Sequence, residues 1–327
     1  MLKKLFNEAR LRLEIEATGP LLIKSGVATI TGPDMTPVRT YRNNDWQVYL
    51  PGSSLKGVVR SHLEKITRTL NETIVCDPFG TTREYSEDWT ISCSNKFKHR
   101  EKKLREQSLS NEKVYRDSCP ICRLFGSTYF IGRIAIGDAY LENHATTEIR
   151  DGVGIDRLTG GASHSAKFQL EAVSTGAKFA TDIYLRNFEV WQLGMLLLAV
   201  QDFEDGLIRL GSGRSRGLGS VQGRVNDVTL TSVGMWPQKQ AGDVWGIGRY
   251  LNDGSYGTQP QDTVHLQTAP AATRRGIRQQ QQFTKDALDE LKTAATQAFV
   301  HYITQATLPT SMTLSELRLH GGKTYGR

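Results

Sequence analysis

The stretch Ala9-Arg10-Leu11-Arg12-Leu13-Glu14-Ile15-Glu16-Ala17 alternates apolar and charged residues without a break. Successive side chains of a strand point to opposite faces, so Ala9, Leu11, Leu13, Ile15 and Ala17 line one face and Arg10, Arg12, Glu14 and Glu16 the other. This pattern predicts a strand buried on one side and wet on the other. Gly19-Pro20 ends it, and Gly26, Gly32, Pro33 and Pro37 make residues 24–44 read as a loop. Pro51-Gly52-Ser53-Ser54 then opens a helix, where a serine oxygen can accept a first-turn N–H. Leu55, Val58, Val59, Leu63, Ile66 and Leu70 recur at helical spacing, with Lys56, Arg60 and His62 off that stripe.

Residues 71–128 interrupt the pattern and read as an insertion. Tyr129 to Leu141 looks like a strand, and Glu148 to Ser165 is glycine-rich and reads as a loop. Lys167 to Val173 and Phe179 to Leu185 both alternate, with Ser174-Thr175-Gly176-Ala177 between them, which predicts a hairpin. Phe188 to Phe203 reads as a largely buried helix, residues 211–219 as a glycine-rich loop and Ser220 to Leu230 as a strand. With the insertions removed, the order is strand, helix, strand, strand, helix, strand. That is the split βαβ of a ferredoxin-like domain, the plan of RNA-recognition modules. The expected class is α+β: a ferredoxin-like (RRM-like) core with a zinc-binding insertion, a thumb-like hairpin and a C-terminal extension. The expected boundaries are 1–232 for the core, with 71–128 inserted, and 233–327 for the extension. Residues 233–283 are rich in Gly, Gln, Pro and Trp, including the run Gln279 to Gln282. Thr284 can cap a last helix through Leu288, Leu291, Phe299, Tyr302 and Ile303.

The chain has 327 residues, enough for a sizeable core. It contains no run of about eighteen apolar residues, and Met1 to Arg10 lacks the apolar stretch of a signal peptide. The expectation is a soluble cytoplasmic protein with no membrane partner. Lys and Arg number 41 against 34 acidic residues, a net charge of +7 that weakly favours polyanionic partners.

The cysteines, Cys76, Cys93, Cys119 and Cys122, all fall inside the insertion. Cys119-Pro120-Ile121-Cys122 is a C-x-x-C turn that can aim two thiolates at one metal, and the other two complete a four-sulfur tetrahedron suited to structural zinc. A reduced pair with two incidental cysteines, or a redox dithiol, are the alternatives. Leu210-Gly211-Ser212-Gly213-Arg214-Ser215-Arg216-Gly217-Leu218-Gly219 lacks the Gly-Lys-Ser/Thr of a P-loop and the spacing of a dinucleotide fingerprint. It reads either as a loop offering backbone N–H groups and two arginines to a sugar-phosphate backbone or as a solvated hairpin. Lys96 to Arg105 is a basic run that reads as a solvated helix face, and Asp34 sits in a Gly32-Pro33-Asp34 turn.

Taken together, four segments resemble the RAMP superfamily, in particular the backbone subunits of type III CRISPR effector complexes. They are Pro51-Gly52-Ser53-Ser54-Leu55-Lys56-Gly57 followed by Val59-Arg60, Cys119-Pro120-Ile121-Cys122-Arg123-Leu124-Phe125-Gly126, Ile155-Asp156-Arg157-Leu158-Thr159-Gly160-Gly161-Ala162, and the loop Gly211 to Gly219. The resemblance implies an RRM-like subunit that grips a guide RNA, with target RNA and the other subunits of the complex as partners. It implies target cleavage by Asp34, in the loop after the first strand, with Mg²⁺ or another divalent cation. It implies RNA contacts from Lys24, Ser25, Arg39, Ser53, Ser54, Lys56, Arg60, Asp156, Arg157, Gly213, Arg214 and Arg216. Where the family often carries His and Gly, this chain has Leu22 and Lys24. The long insertion and the extension suggest a subtype D-like variant. A non-cleaving scaffold and a stand-alone guide-processing nuclease are the alternatives.

Overall fold

The computed structural model describes residues 3–26, 32–78, 92–103 and 109–306. β1 (Asn7–Ala17) buries Asn7, Ala9, Leu11, Leu13, Ile15 and Ala17 and leaves the charged residues outside, as the alternation predicts. The stretch 24–44, read as one loop, instead contains β2 (Arg39–Arg42) and the turn that pairs it with β3 (Asp45–Leu50) in a hairpin. Its turn is Asn43-Asn44, with φ of 55° and 62°. A two-residue hairpin turn needs left-handed backbone at both positions, and asparagine tolerates it better than most residues. α1 (Gly52–Leu70) buries Leu55, Val59 and Leu63, but its N-cap is Pro51 and no serine caps it. Asp138 does so from a distant loop, its Oδ1 accepting the Gly52 N–H at 2.8 Å.

Within the insertion lie α2 (Cys93–Lys103), α3 (Asn111–Arg116) and α4 (Pro120–Phe125). Lys96 is buried, its Nζ donating to Asp117 O at 2.9 Å, so the basic run is not solvated along its whole length; Arg105 lies outside the described residues. The segment read as one strand at 129–141 is broken into pieces. β4 (Gly126–Ser127) pairs with β5 (Phe130–Ile131), followed by β6 (Ile134–Ile136) and β7 (Ala139–Leu141).

β8 (Thr147–Ile155) and β9 (Ala162–Val173) form a long antiparallel hairpin where a glycine-rich loop was expected. β10 (Lys178–Arg186) pairs with β1, so the expected hairpin between Lys167–Val173 and Phe179–Leu185 does not form. Alternation specifies which face a strand buries, not which strand it joins. Here Ala17 N donates to Ala177 O and Gly176 N to Ala17 O, which carries the chain across the end of β1. α5 (Val190–Glu204), β11 (Val221–Arg224) and β12 (Asp227–Val233) follow, both strands pairing with β1.

The remainder comprises β13 (Asp243–Trp245), α6 (Ile247–Leu251), β14 (Thr263–His265), β15 (Ala271–Arg275), β16 (Arg278–Thr284) and α7 (Lys285–Gln305). The glutamine run is β16, a strand of the main sheet: Gln281 is buried and its Nε2 donates to Ala241 O and Asp243 O. Thr284 precedes α7 but makes no side-chain cap.

The main sheet runs β15-β16-β12-β1-β10-β7-β3-β2, each neighbour antiparallel, with β11 also on β1 and β6 on β10. The protein is thus a mixed α+β fold built mainly on antiparallel sheet. The buried residues of α1, α5 and α7 join those of β1, β10 and β12 in one apolar core. α5 and α7 cross so closely at Gly194 that a Cβ there would lie 1.8 Å from Ala295 O. That glycine interrupts the longest apolar stretch of the sequence for a packing reason.

Candidate functional site

The insertion brings all four cysteines together. Cys119 is the N-cap of α4, its Sγ accepting the Cys122 N–H at 3.4 Å, and Pro120 occupies the first turn, where a missing N–H costs nothing. The four Sγ atoms lie within 4.8 Å of one another and all four residues are buried. Cys119 Sγ is 3.5 Å from Cys76 Sγ, which is 3.7 Å from Cys122 Sγ. Metal–sulfur bonds of about 2.3 Å in a tetrahedron place sulfurs about 3.8 Å apart. The donor set and spacing therefore fit one metal ion. The hydrogen bonds among the four thiols hold Cys119 well below its ordinary value and push Cys93 and Cys122 above theirs, so the thiols share their protons unequally.

Arg60 and Lys56, expected at RNA, face this cluster from α1. Arg60 donates to Glu64 Oε1 (3.0 Å), Gly126 O (3.4 Å) and Cys122 Sγ (3.5 Å). Lys56 Nζ donates to Ile134 O at 3.2 Å, and burial lowers its pKa. Both line a cleft of 850 Å³ beside Cys76, Cys93 and Cys122. Ser53 is exposed and Ser54 half-buried in the first turn of the same helix.

A second neighbourhood forms around Leu22, Leu170, Ala172 and Leu218, a small apolar cluster with Met35 and Phe168 packed on it. Four chain segments meet there. Lys24 bridges Pro37, and Ser25 N donates to Thr36 O. Met35 N donates to Gln169 O and Glu171 N to Met35 O, tying the 34–39 segment to β9. The glycine loop joins through Ser212 N to Leu22 O (2.7 Å) and Gly219 N to Pro20 O (2.7 Å). Gly211, at φ 75°, would place a Cβ 2.2 Å from Leu22 O, so no other residue fits that approach.

Asp34 is exposed at this junction. Its Oδ2 accepts the Gln169 N–H at 2.7 Å, and among the described residues no donor reaches Oδ1. Arg39 pairs with Glu171 at 2.5 Å, and Glu171 also accepts from Thr147 Oγ1. Arg214 and Arg216 are exposed beside left-handed Gly213, with Arg216 over the Phe168 ring at 5.4 Å. Asp156 and Arg157 occupy the tip of the β8–β9 hairpin. There Asp156 Oδ1 accepts from Leu158 N (2.7 Å) and Thr159 N (3.0 Å), bonds that lower its pKa. Asp156 is thus a turn former, as Asx geometry makes it.

The structure therefore gathers Lys24, Ser25, Asp34, Arg39, Gly213, Arg214 and Arg216 around one small cluster. Ser53, Ser54, Lys56 and Arg60 stand on α1, with the last two turned to the cysteines. Gln169 and Glu171, which position Asp34 and Arg39, carry no sequence signal, because one acts through its backbone and the other through a partner far along the chain.

The family described as the RAMP superfamily matches residues 14–222, well over half of the chain. The chain belongs to the RAMP superfamily. The RAMP segment runs from within β1 to β11 and includes the cysteine cluster, the Asp34 junction and the glycine loop. It leaves β12 to β16 and α7 outside. RAMP membership is consistent with a CRISPR-associated subunit and with RNA partners. No curated protein matches the chain. Among the described residues no helix is long and apolar enough to cross a membrane.

Proposed function

We propose that this RAMP protein is a backbone subunit of a type III CRISPR ribonucleoprotein in the prokaryotic cytoplasm, of a subtype D-like variant. It holds the backbone of a guide RNA beside neighbouring subunits and cleaves the complementary target RNA at Asp34. The observation that carries this reading is the exposed Asp34 carboxylate at the meeting point of the 20–26 segment, the base of the β8–β9 hairpin and the glycine loop, inside the RAMP segment. The core is read as ferredoxin-like (RRM-like): β12-β1-β10-β7 is the strand order that such a domain requires when β6 and β7 count as its second strand. The cysteine cluster is read as structural zinc, because four buried sulfurs close the coordination shell and leave no open position.

Asp34 supplies one carboxylate, and Glu171 nearby is committed to Arg39 and Thr147. A hard divalent cation is commonly held by one or two carboxylates, with water and substrate phosphate completing the shell, so one aspartate fits. Such a cation, when bound, would stabilise charge on the phosphate that is cut. Asp34 is oriented by the Gln169 N–H on Oδ2, which turns Oδ1 outward. The glycine loop offers N–H groups and Arg214 and Arg216 to phosphate. Base pairing supplies sequence specificity, so the protein needs backbone contacts alone.

The test is target cleavage by the guide-loaded complex carrying wild type, Asp34→Ala or Asp34→Asn, with Mg²⁺ or EDTA. Asparagine keeps an oxygen for Gln169 N and removes only the charge. Loss of one or more cuts in both variants, with guide retention unchanged, is expected. An unchanged pattern would leave Asp34 as a loop cap and the protein as a non-cleaving guide scaffold.

A further inference from the structure

The solvent face of the main sheet continues past the RAMP segment onto β12, β16 and β15, and the register aligns its side chains in rows. Tyr184, Arg10, Thr229, Gln282 and Ala271 lie side by side across five strands. In the adjacent row Glu8, Thr231, Gln280 and Thr273 do the same, and Val233, Arg278 and Arg275 form the next. These rows line a groove of 380 Å³ that contains Arg10, Tyr184, Thr229, Thr231, Gln280 and Arg278.

The charges on this face divide in two. On β1 and β10 arginine is matched by acid: Arg10 with Asp182, Arg12 with Glu142 and Arg186 with Glu8. On the β15–β16 hairpin it is not. Arg274, Arg275 and Arg278 are exposed around its turn, and no carboxylate lies within ion-pair distance of them among the described residues. Arg274 alternates to the other face of β15, where it is bonded to Gly276 O and Met235 Sδ, so Arg275 and Arg278 are the two that stand on the furrow's side. The unneutralised positive charge therefore belongs to the added hairpin. It stands at one end of a furrow whose floor is hydroxyl and amide, and Tyr184 lies between the guanidinium groups of Arg10 (5.5 Å) and Arg186 (5.9 Å).

We propose that this furrow is a second nucleic-acid surface, which takes a single-stranded RNA segment in an extended path from the arginines of the β15–β16 turn to Tyr184. Two guanidinium groups free to meet phosphates, those of Arg275 and Arg278, hydrogen-bonding side chains without a base-reading arrangement and one aromatic are the components of sequence-tolerant single-strand binding. A protein partner would require an apolar centre, and the furrow has none. The β12, β16 and β15 part of the surface lies outside the RAMP segment and Tyr184 on β10 lies inside it; neither depends on the chemistry assigned to Asp34, because binding is read without cleavage.

The experiment uses the full chain and a fluorescein-labelled oligouridylate, with binding followed by anisotropy over a series of salt concentrations. The double variant Arg275→Gln, Arg278→Gln is compared with wild type and with Arg214→Gln, Arg216→Gln on the glycine loop. The hairpin variant is expected to bind at least tenfold more weakly. Its slope of log affinity against log salt should be shallower by about 1.4, as loss of two phosphate contacts to a single strand requires. In parallel, ultraviolet cross-linking of the oligonucleotide to wild type should give an adduct at Tyr184. Wild-type affinity in the hairpin variant overturns the proposal, as do adducts confined to the glycine loop or an unlabelled acidic peptide displacing the RNA at equal charge concentration.

Discussion

Arg60 spans from α1 to the cysteine cluster, its Nη2 3.5 Å from Cys122 Sγ. Four thiolates around one divalent cation leave a net charge of −2 in a buried site, which a neighbouring guanidinium offsets. Purified protein should therefore contain one zinc per chain by elemental analysis. Cys119→Ser should lose it and unfold at a markedly lower temperature, because metal binding and local folding are one event. Arg60→Ala should keep the metal but release it to a colorimetric chelator with affinity about 10–100-fold lower, the usual cost of an outer-shell partner. Metal-free wild type of undiminished stability would refute the assignment.

Arg123 and Glu189 form a second pair, 2.5 Å apart and almost wholly buried. Arg123 also donates to Tyr302 Oη at 2.6 Å on the last helix. Arg123→Met leaves Glu189 charged and alone, so urea unfolding should show a loss of about 3–5 kcal/mol. The double variant Arg123→Met, Glu189→Leu should lose less than the single variant, since no unpaired charge remains.

Gly194→Ala places a methyl group against Ala295 O. α5 and α7 must separate, and overpacking of this kind costs about 1–3 kcal/mol. Denaturant unfolding should show that loss, while Ala199→Gly on the same helix should cost only its helical propensity and its one methyl.

Asp262 is half-buried, with Oδ1 accepting from Val190 N and Oδ2 from Gly248 N. Burial, reinforced by the nearby Glu189 charge, raises its pKa to about 7. A folded value above the unfolded one means the protonated form is favoured in the fold. Its stabilising effect is complete below the unfolded carboxylate value of about 4 and is lost as pH rises through about 7. Stability measured by denaturant should fall over that window in wild type, and Asp262→Asn should flatten the slope.

The alternation of residues 9–17 and the helical stripe from Leu55 to Leu70 were legible because each element buries one face in the common core. Strand partners were not. β9 and β10 carry equal alternation, yet one leaves on a hairpin and the other completes the β1 edge, a choice made by the backbone bonds of Ala17. The Asn43-Asn44 turn was visible in principle, since two asparagines between β-rich stretches are a hairpin signal, but the prolines upstream masked it. The cysteine cluster was legible because thiols in one insertion have few other uses. The roles of Arg60 and Lys56 were not, because the same basic residues at a helix start serve phosphate or thiolate according to what the insertion places opposite them.

α4 is only six residues long, yet it bears Cys119 and Cys122 on one side and Arg123 on another. Arg123 reaches Tyr302 and Glu189, and Tyr302 stacks on Trp191 at 4.4 Å. α7 is thus tied to the segment that carries the cysteines, besides its direct packing on α5. Disorder in that segment would release Tyr302 from Arg123, while the α5–α7 seam at Gly194 does not involve α4. An ion held by the four cysteines would in that way steady a helix that lies outside the RAMP segment.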